Sequence, residues 1–202
     1  MAEIKNITKQ TDNRYVNLYE LEAVTKSGRT FAYQLASRGK NADELKIKTG
    51  SDRADGVVIY ALYGEAHDKV VLIRQYRYPI GDFIYELPAG LCEEGEDYHV
   101  AAVRELHEET GLTLTPVQAD HAYEAPRYTS VGMSDEAVAI VYGYADGEVS
   151  ARFMEDSEEI EVVLADRQEA HRILCEERVA VQCAYQLMHF IADEEPFRFL
   201  QG

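Results

Sequence analysis

The sequence predicts an α+β protein, in which a mixed β-sheet is combined with helices and is preceded by a small N-terminal β annex. Three observations support this class: a hairpin pattern near the N-terminus, strand patterns on both sides of one amphipathic helix, and two helical segments at the C-terminal end. Strands and helices do not alternate regularly along the chain, so we expect mixed strand pairing rather than regular βαβ winding.

The annex is predicted from a hairpin. Residues 14–25 and 29–35 are rich in β-branched and aromatic residues, and a Lys-Ser-Gly turn at 26–28 separates them. The following stretch, residues 37–55, is polar and has little periodicity, which is typical of a boundary. We therefore divide the chain into an annex of residues 1–50 and a main domain of residues 51–202.

The elements of the main domain follow in chain order. Short apolar runs predict strands at residues 56–62, 69–75, 83–87, 137–144 and 161–164, and helical patterns predict helices at 97–110, 166–177 and 179–192. In the first of these helices Val100, Val103 and Leu106 recur at a spacing of three. Asp97 is suited to cap its N-terminus, and Gly111 is suited to end it in the left-handed conformation.

Composition excludes several classes of function. The chain has 202 residues with 20 Lys+Arg and 37 Asp+Glu, so its formal net charge is −17. Nucleic acids and anionic membrane surfaces both attract basic proteins, so neither is expected as a partner. Three cysteines at unrelated spacings, no signal-peptide pattern and no apolar run of membrane-spanning length lead us to expect a cytoplasmic protein.

The acidic residues are concentrated in one segment, residues 93–109. Glu105 and Glu109 are four residues apart and share one side of the predicted helix, and Glu108 lies one turn from Glu105. Like charges at this spacing repel one another by roughly 0.2–0.5 kcal/mol per pair. A hard divalent cation such as Mg²⁺ would offset that repulsion; the alternative is a solvated helix face, with Arg104 paired to Glu108.

Flanking residues decide between these alternatives. The segment from Gly90 to Leu112 spells GX5EX7REUXEEXGU, where U is a bulky apolar residue, and every defined position matches. It resembles the Nudix box, the signature of the Nudix hydrolase family. The approach to it, Arg74-Gln75-Tyr76-Arg77 and then Glu86-Leu87-Pro88-Ala89-Gly90, is similar to that of ADP-ribose pyrophosphatases and related nucleotide-sugar hydrolases.

The resemblance implies an α/β/α sandwich around the mixed sheet and a set of metal ligands. Glu105 and Glu109 are the implied direct ligands of Mg²⁺, for which Mn²⁺ can substitute, with Glu108 close behind. Glu96 is implied to orient the other carboxylates through Arg104, and a carbonyl oxygen at Ala89 or Gly90 is implied to complete a metal site. In the same reading, Glu108 and Arg104 also belong to the catalytic machinery.

The resemblance also implies substrate and base residues. The implied substrate contacts are Arg77, Arg74 and Glu86. A guanidinium such as that of Arg77 or Arg74 suits phosphate oxygens. Glu136 is implied to act as the base that deprotonates the attacking water or as a further metal ligand, and Asp135 is the second candidate. The family often forms homodimers through the N-terminal β segment, which implies a homodimer through the annex.

These inferences lead to a functional expectation with alternatives. We expect a Mg²⁺-dependent pyrophosphohydrolase that splits ADP-ribose or a related nucleoside diphosphate sugar into a nucleoside monophosphate and a sugar phosphate. The alternatives are hydrolysis of GDP-mannose, UDP-glucose or oxidised nucleoside triphosphates, and a non-catalytic Nudix ligand sensor.

Overall fold

The computed structural model describes residues 3–154 and 159–201, which form two compact units. One unit contains the N-terminal part of the chain up to Asp55 together with Pro126–Val138, and the other contains Gly56–Ala125 and the chain from Ala139 onward. The expected division at residue 50 stays a prediction. Among the described residues, no helix has the length and apolar character that crossing a bilayer requires.

The first unit is built on a three-stranded antiparallel sheet. Its strands are β1 (Glu3–Lys9), β2 (Asn17–Val24) and β3 (Thr30–Ser37), in the order β1-β2-β3. The predicted hairpin is confirmed as β2 and β3, whereas β1 was not predicted. A 3₁₀ turn (Ala42–Glu44) and the short helix α1 (Lys46–Thr49) follow. The core of this unit consists of Tyr19, Leu21, Leu35 and Leu45.

The main sheet has a central path of five strands, which are β4 (Gly56–Tyr63), β5 (Lys69–Arg77), β8 (Thr113–Pro116), β10 (Ala137–Asp146) and β11 (Ile160–Ala165). Their order across the sheet is β11-β5-β4-β10-β8. Three short strands are attached to them: β6 (Asp82–Glu86) pairs with β5, β7 (Ala89–Leu91) with β4, and β9 (Arg127–Tyr128) with β10.

The sheet is mixed, as predicted. Strand β5 is antiparallel to β4, β6 and β11, and β10 is antiparallel to β8 and β9. By contrast, the hydrogen bonds that join the ends of β4 and β10 advance in the same direction along both strands. Asp55 N–H donates to the Ala137 carbonyl at 2.8 Å and Gly64 N–H donates to the Ala145 carbonyl at 3.4 Å, so these two strands are parallel.

Helices cover both faces of this sheet. Helix α2 (Tyr98–Thr110) packs on the face that contains Val57, Ile59 and Ala61 of β4. On the opposite face, Tyr60 contacts His189 of α5 (Val181–Ala192) and Phe197 of the C-terminal segment. Helices α3 (His121–Glu124) and α4 (Arg167–Glu176) complete the set. The α/β/α sandwich is thus confirmed, because alternate residues of β4 point to opposite helical layers.

Candidate active site

Helix α2 carries most of the predicted site, and its two ends are capped as the sequence predicts. The Asp97 carboxylate accepts the His99 N–H at 2.9 Å, and Gly111 adopts φ 76° while its N–H donates to the His107 carbonyl at 2.8 Å. A Cβ at Gly111 would lie 2.7 Å from the Cβ of Ser150, so close packing also requires glycine there. These caps fix the register of the acidic residues relative to the sheet.

The buried face of α2 does not follow the spacing of its valines. Leu106 is fully buried, but Val100 and Val103, which recur with it at a spacing of three, are 59% and 37% exposed. Ala101 and Ala102 are buried in their place. Small side chains allow the helix to approach the sheet closely, whereas the spacing of the valines indicated only that an apolar stripe existed.

Arg104 connects three carboxylates and one backbone carbonyl. Its guanidinium donates to both oxygens of Glu96 at 3.1 and 3.0 Å, to Glu105 at 2.7 Å and to Glu108 at 3.0 Å. It also donates to the carbonyl oxygen of Leu91 at 3.0 Å. The hydrogen bond with Arg104 is the main cause that lowers the pKa of Glu96, and the same bond is the main cause that raises the pKa of Arg104. Arg104 thus holds Glu96, Glu105 and Glu108 in one hydrogen-bonded cluster, and the orienting role implied for Glu96 stays a prediction.

Strand β7 lies directly against this cluster. The Ala89 N–H donates to Glu109 at 3.1 Å, and Glu109 is only 3% exposed. Any Cβ at Gly90 would overlap the carboxylate of Glu105. The three consecutive residues of β7 thus meet three side chains of α2: Ala89 meets Glu109, Gly90 meets Glu105, and Leu91 meets Arg104.

The donor set is suited to a hard divalent cation. It consists of carboxylate oxygens from α2 and backbone oxygens from β7, and Mg²⁺ prefers such oxygen ligands. Within residues 3–154 and 159–201, no three acidic, cysteine or histidine side chains already converge as a ligand set. Glu105 and Glu108 are instead turned toward Arg104, so binding a cation requires their carboxylates to exchange part of that contact.

Two of the predicted substrate residues come together and one does not. Arg77 of β5 forms an ion pair with Glu86 of β6 at 2.7 Å, and Arg77 remains 45% exposed. Arg74 lies 4.3 Å from the ring centroid of Phe83 and 3.4 Å from Glu161. Because Arg74 and Arg77 are three residues apart on one strand, their side chains point to opposite faces of the sheet.

Glu136, the predicted base, belongs to the first unit. One of its oxygens accepts two hydrogen bonds from Arg38 at 3.0 and 2.7 Å, and the other accepts one from Thr129 at 3.1 Å. Asp135, the second choice, accepts the Lys46 N–H at 3.2 Å. Sequence reasoning missed Arg38, because 98 positions separate it from Glu136 and no local pattern connects them. The role of Glu136 stays a prediction.

The fold and the box together define a class. A mixed sheet between helical layers, with an acidic helix that follows a glycine-containing strand, is the arrangement that the Nudix resemblance implied. The model of the NUDIX domain matches residues 52–181. The chain therefore belongs to the Nudix family.

Individual relatives carry related names. An ADP-ribose pyrophosphatase of Bacillus subtilis is 34% identical over 110 residues, which is 52% of this chain and 56% of that protein. An ADP-ribose pyrophosphatase of Saccharomyces cerevisiae is 24% identical over 165 residues, covering 80% of this chain and 68% of that protein. A putative Nudix hydrolase of Caenorhabditis elegans is 34% identical over 120 residues, 56% of this chain and 52% of that one. The chain thus spans about half the length of the first and third of these relatives.

A solved structure has the same fold. The crystal structure of an ADP compounds hydrolase superposes with a TM-score of 0.65 at 15% identity, and the match covers 95% of this chain and 92% of that one. At this identity the likeness shows the fold and not the chemistry.

Proposed function

We propose that this protein is a Mg²⁺-dependent pyrophosphohydrolase. It cleaves the diphosphate of ADP-ribose, or of a related nucleoside diphosphate sugar, into a nucleoside monophosphate and a sugar phosphate. One observation carries the proposal: the three residues of β7 contact Glu109, Glu105 and Arg104 of the box helix. The names of the relatives, ADP-ribose pyrophosphatases from two organisms, support this substrate class.

The residues of the box would hold the cation. Glu105, Glu109 and Glu108, with a carbonyl oxygen at Ala89 or Gly90, supply hard oxygen ligands. Mg²⁺ or Mn²⁺ bound there would offset the charge of the diphosphate and increase the acidity of a bound water. Arg104 supports the ligands, since it holds Glu96, Glu105 and Glu108 in fixed relative positions.

Other residues would bind the substrate and transfer the proton. Arg77, held by Glu86, presents a half-exposed guanidinium to phosphate oxygens. Arg74 is a second candidate for this contact. Glu136 is our candidate for the base that accepts a proton from the attacking water, since an ionised carboxylate can take that proton.

We also propose a location and an oligomeric state. Among the described residues, none of the three cysteines Cys92, Cys175 and Cys183 forms a disulfide, which supports a reducing compartment such as the cytoplasm. A homodimer through the N-terminal annex follows from the resemblance of that segment to dimerising segments of the family.

Product identification tests the proposed reaction. The full chain is incubated with Mg²⁺ and one substrate at a time: ADP-ribose, GDP-mannose, UDP-glucose or 8-oxo-dGTP. The products are then separated by chromatography. AMP and ribose 5-phosphate from ADP-ribose are the expected products, and chelation with EDTA should stop their release. Cleavage of another nucleotide sugar but not ADP-ribose would contradict ADP-ribose as the substrate and support the other nucleotide sugar. Failure on every substrate would contradict the proposed enzyme and favour a ligand sensor.

A further inference from the structure

A histidine at the start of helix α2 lies between two carboxylates. The Nδ1 atom of His99 is 3.1 Å from the Asp97 carboxylate, and its Nε2 atom is 3.1 Å from the Glu124 carboxylate. Asp97 caps α2, whereas Glu124 is the last residue of α3. The imidazole therefore joins two elements that are distant in the chain, at a place that the proposed reaction does not use.

Glu124 has an unusual environment for a carboxylate. The residue is only 4% exposed, and its Oε1 atom has no hydrogen-bond partner among the described residues. Burying a charged group is costly unless the group is paired, and buried polar atoms of folded proteins nearly always have partners. Oε1 therefore marks a position where a further hydrogen-bond donor or a cation is expected.

The contacts of His99 indicate which of these is missing. An ionised carboxylate only accepts hydrogen bonds, so the Nδ1 atom that faces Asp97 carries a proton. A neutral imidazole protonated at Nδ1 has a lone pair at Nε2, and this lone pair faces an oxygen of Glu124 that is also an acceptor. Two acceptors at this distance need a positive charge between them, which is either a second proton on His99 or a metal ion.

The geometry favours a metal ion over a proton. Zn²⁺ binds imidazole nitrogen and carboxylate oxygen at about 2.0–2.2 Å, so two neighbouring ligand atoms of one ion are about 2.9–3.4 Å apart. The 3.1 Å between Nε2 of His99 and Oε2 of Glu124 lies in this range. A metal ion there can also bind Oε1, whereas a proton on Nε2 leaves Oε1 without a partner. Histidines that bind metals commonly donate their other N–H to a carboxylate, as His99 does to Asp97.

We propose that Nε2 of His99 and the carboxylate of Glu124 bind a Zn²⁺ ion. The His99 side chain is 37% exposed, so water can reach the ion and complete its coordination. Mixed nitrogen and oxygen donors distinguish this site from the box, whose oxygen donors suit Mg²⁺. The bound ion fixes the start of the box helix to α3. This inference goes beyond the proposed function, and its tests use no substrate.

Thermal unfolding of the full chain tests the two ligands. In buffer without Mg²⁺, ZnCl₂ at about 100 times its dissociation constant should raise the melting temperature of the unsubstituted chain by about 5 °C. His99→Gln and Glu124→Gln should each lose most of this rise. An absent rise in the unsubstituted chain, or an equal rise in it and in both variants, would overturn the proposal.

Two control variants exclude other zinc ligands. The exposed Cys175 thiol is 3.9 Å from the ring nitrogens of His171, so this pair is a competing site on α4. Cys175→Ser should keep the rise in melting temperature. Glu109→Gln removes a carboxylate of the box and should keep the part of the rise that depends on His99. A rise that either control abolishes would assign the zinc to that other site.

Nuclear magnetic resonance distinguishes the metal ion from the proton. In the full chain with ¹⁵N-labelled histidine, His99→Gln identifies the ring signals of this residue among the six histidines. When ZnCl₂ is added, Nε2 should take the chemical shift of a metal-bound imidazole nitrogen, while Nδ1 keeps its proton. If both nitrogens stay protonated and unshifted, a proton alone lies between the two acceptors, and the zinc site is wrong.

Discussion

Two arginines of this protein each gather three glutamates, yet their surroundings differ. Arg104 pairs with Glu96, Glu105 and Glu108, and Arg172 of α4 pairs with Glu169, Glu176 and Glu177. In both cases side-chain hydrogen bonds to these glutamates raise the pKa of the arginine. By composition the two clusters are alike, with one arginine and three glutamates each.

The difference is what lies beside each cluster. The three glutamates that pair with Arg172 are on α4 or immediately after it, and Glu176 is 66% exposed. At Arg104 two of the three glutamates are less accessible, Glu96 at 13% and Glu105 at 15%, while Glu108 is 46% exposed, and strand β7 brings its backbone against the cluster. An acidic cluster becomes a candidate cation site when a strand encloses it, because enclosure supplies further oxygen donors and excludes part of the solvent.

The largest effect is expected at the buried carboxylate. Glu109→Gln keeps the size of the side chain and an oxygen that can accept the Ala89 N–H, but removes the charge. We expect kcat for the substrate found in the product assay to fall roughly 1,000-fold, which corresponds to about 4 kcal/mol of transition-state stabilisation. The melting temperature should change little. Glu176→Gln, from the Arg172 cluster, is the matched control and should keep full activity. Retained turnover in Glu109→Gln would remove this residue from the metal site.

A smaller loss of activity is expected when a methyl group on β7 displaces the Glu105 carboxylate. In Gly90→Ala the new methyl group takes the space of the Glu105 carboxylate, which is the mobile end of a side chain and can shift. The fold should survive while Glu105 leaves its position, so activity should drop roughly 100-fold and need more Mg²⁺ for half-activation. Gly132→Ala is the control, because a Cβ there meets nothing within 4 Å. Equal Mg²⁺ requirements in the two variants would contradict the contact.

A still smaller difference in kcat is expected between substitutions of the two arginines. Arg104→Gln releases Glu96, Glu105 and Glu108 from their fixed positions, and we expect roughly a tenfold fall in kcat, as for other groups that orient metal ligands. Arg172→Gln should leave kcat unchanged and change the free energy of unfolding little, since its glutamate partners are at the surface. Steady-state kinetics and urea unfolding separate the two effects. Comparable kinetic losses in both variants would show that the enclosure by β7 has no functional meaning.

The smallest effect concerns acid stability. Hydrogen bonds from Arg104 and Arg172 are the main causes that lower the pKa values of Glu96 and Glu169 below their ordinary value of 4.5. A lowered folded-state pKa contributes stability above that ordinary value, and the contribution is lost as pH falls through the folded-state pKa. In EDTA, the melting temperature should therefore fall less steeply between pH 7 and pH 3 for Glu96→Gln and Glu169→Gln than for the unsubstituted chain. Glu96→Gln should show the larger change because Glu96 is the less exposed, and parallel curves for all three chains would refute the linkage.

Local patterns predicted the elements that have local causes. The box helix was expected over residues 97–110 and occupies Tyr98–Thr110, because Asp97 and Gly111 act within one turn of its ends. Strand β1 was missed, since Glu3, Lys5 and Lys9 hide its alternation and only its pairing with β2 stabilises it. The spacing of Val100, Val103 and Leu106 did not identify the buried face of α2, because a helix with apolar residues on several sides does not reveal which side meets the sheet.

The sequence by itself determined the family and the helix on which the acidic residues lie, because the spacing of Glu105, Glu108 and Glu109 sets their relative positions wherever that helix forms. Only the tertiary structure decided what those residues meet. The contact of Ala89 with Glu109 requires β7 to pair with β4 beside the helix, and the ion pair of Arg38 with Glu136 joins residues 98 positions apart. Such contacts depend on the pairing of distant strands, which is stabilised by burial across the sheet and leaves no signal in the residues on either side.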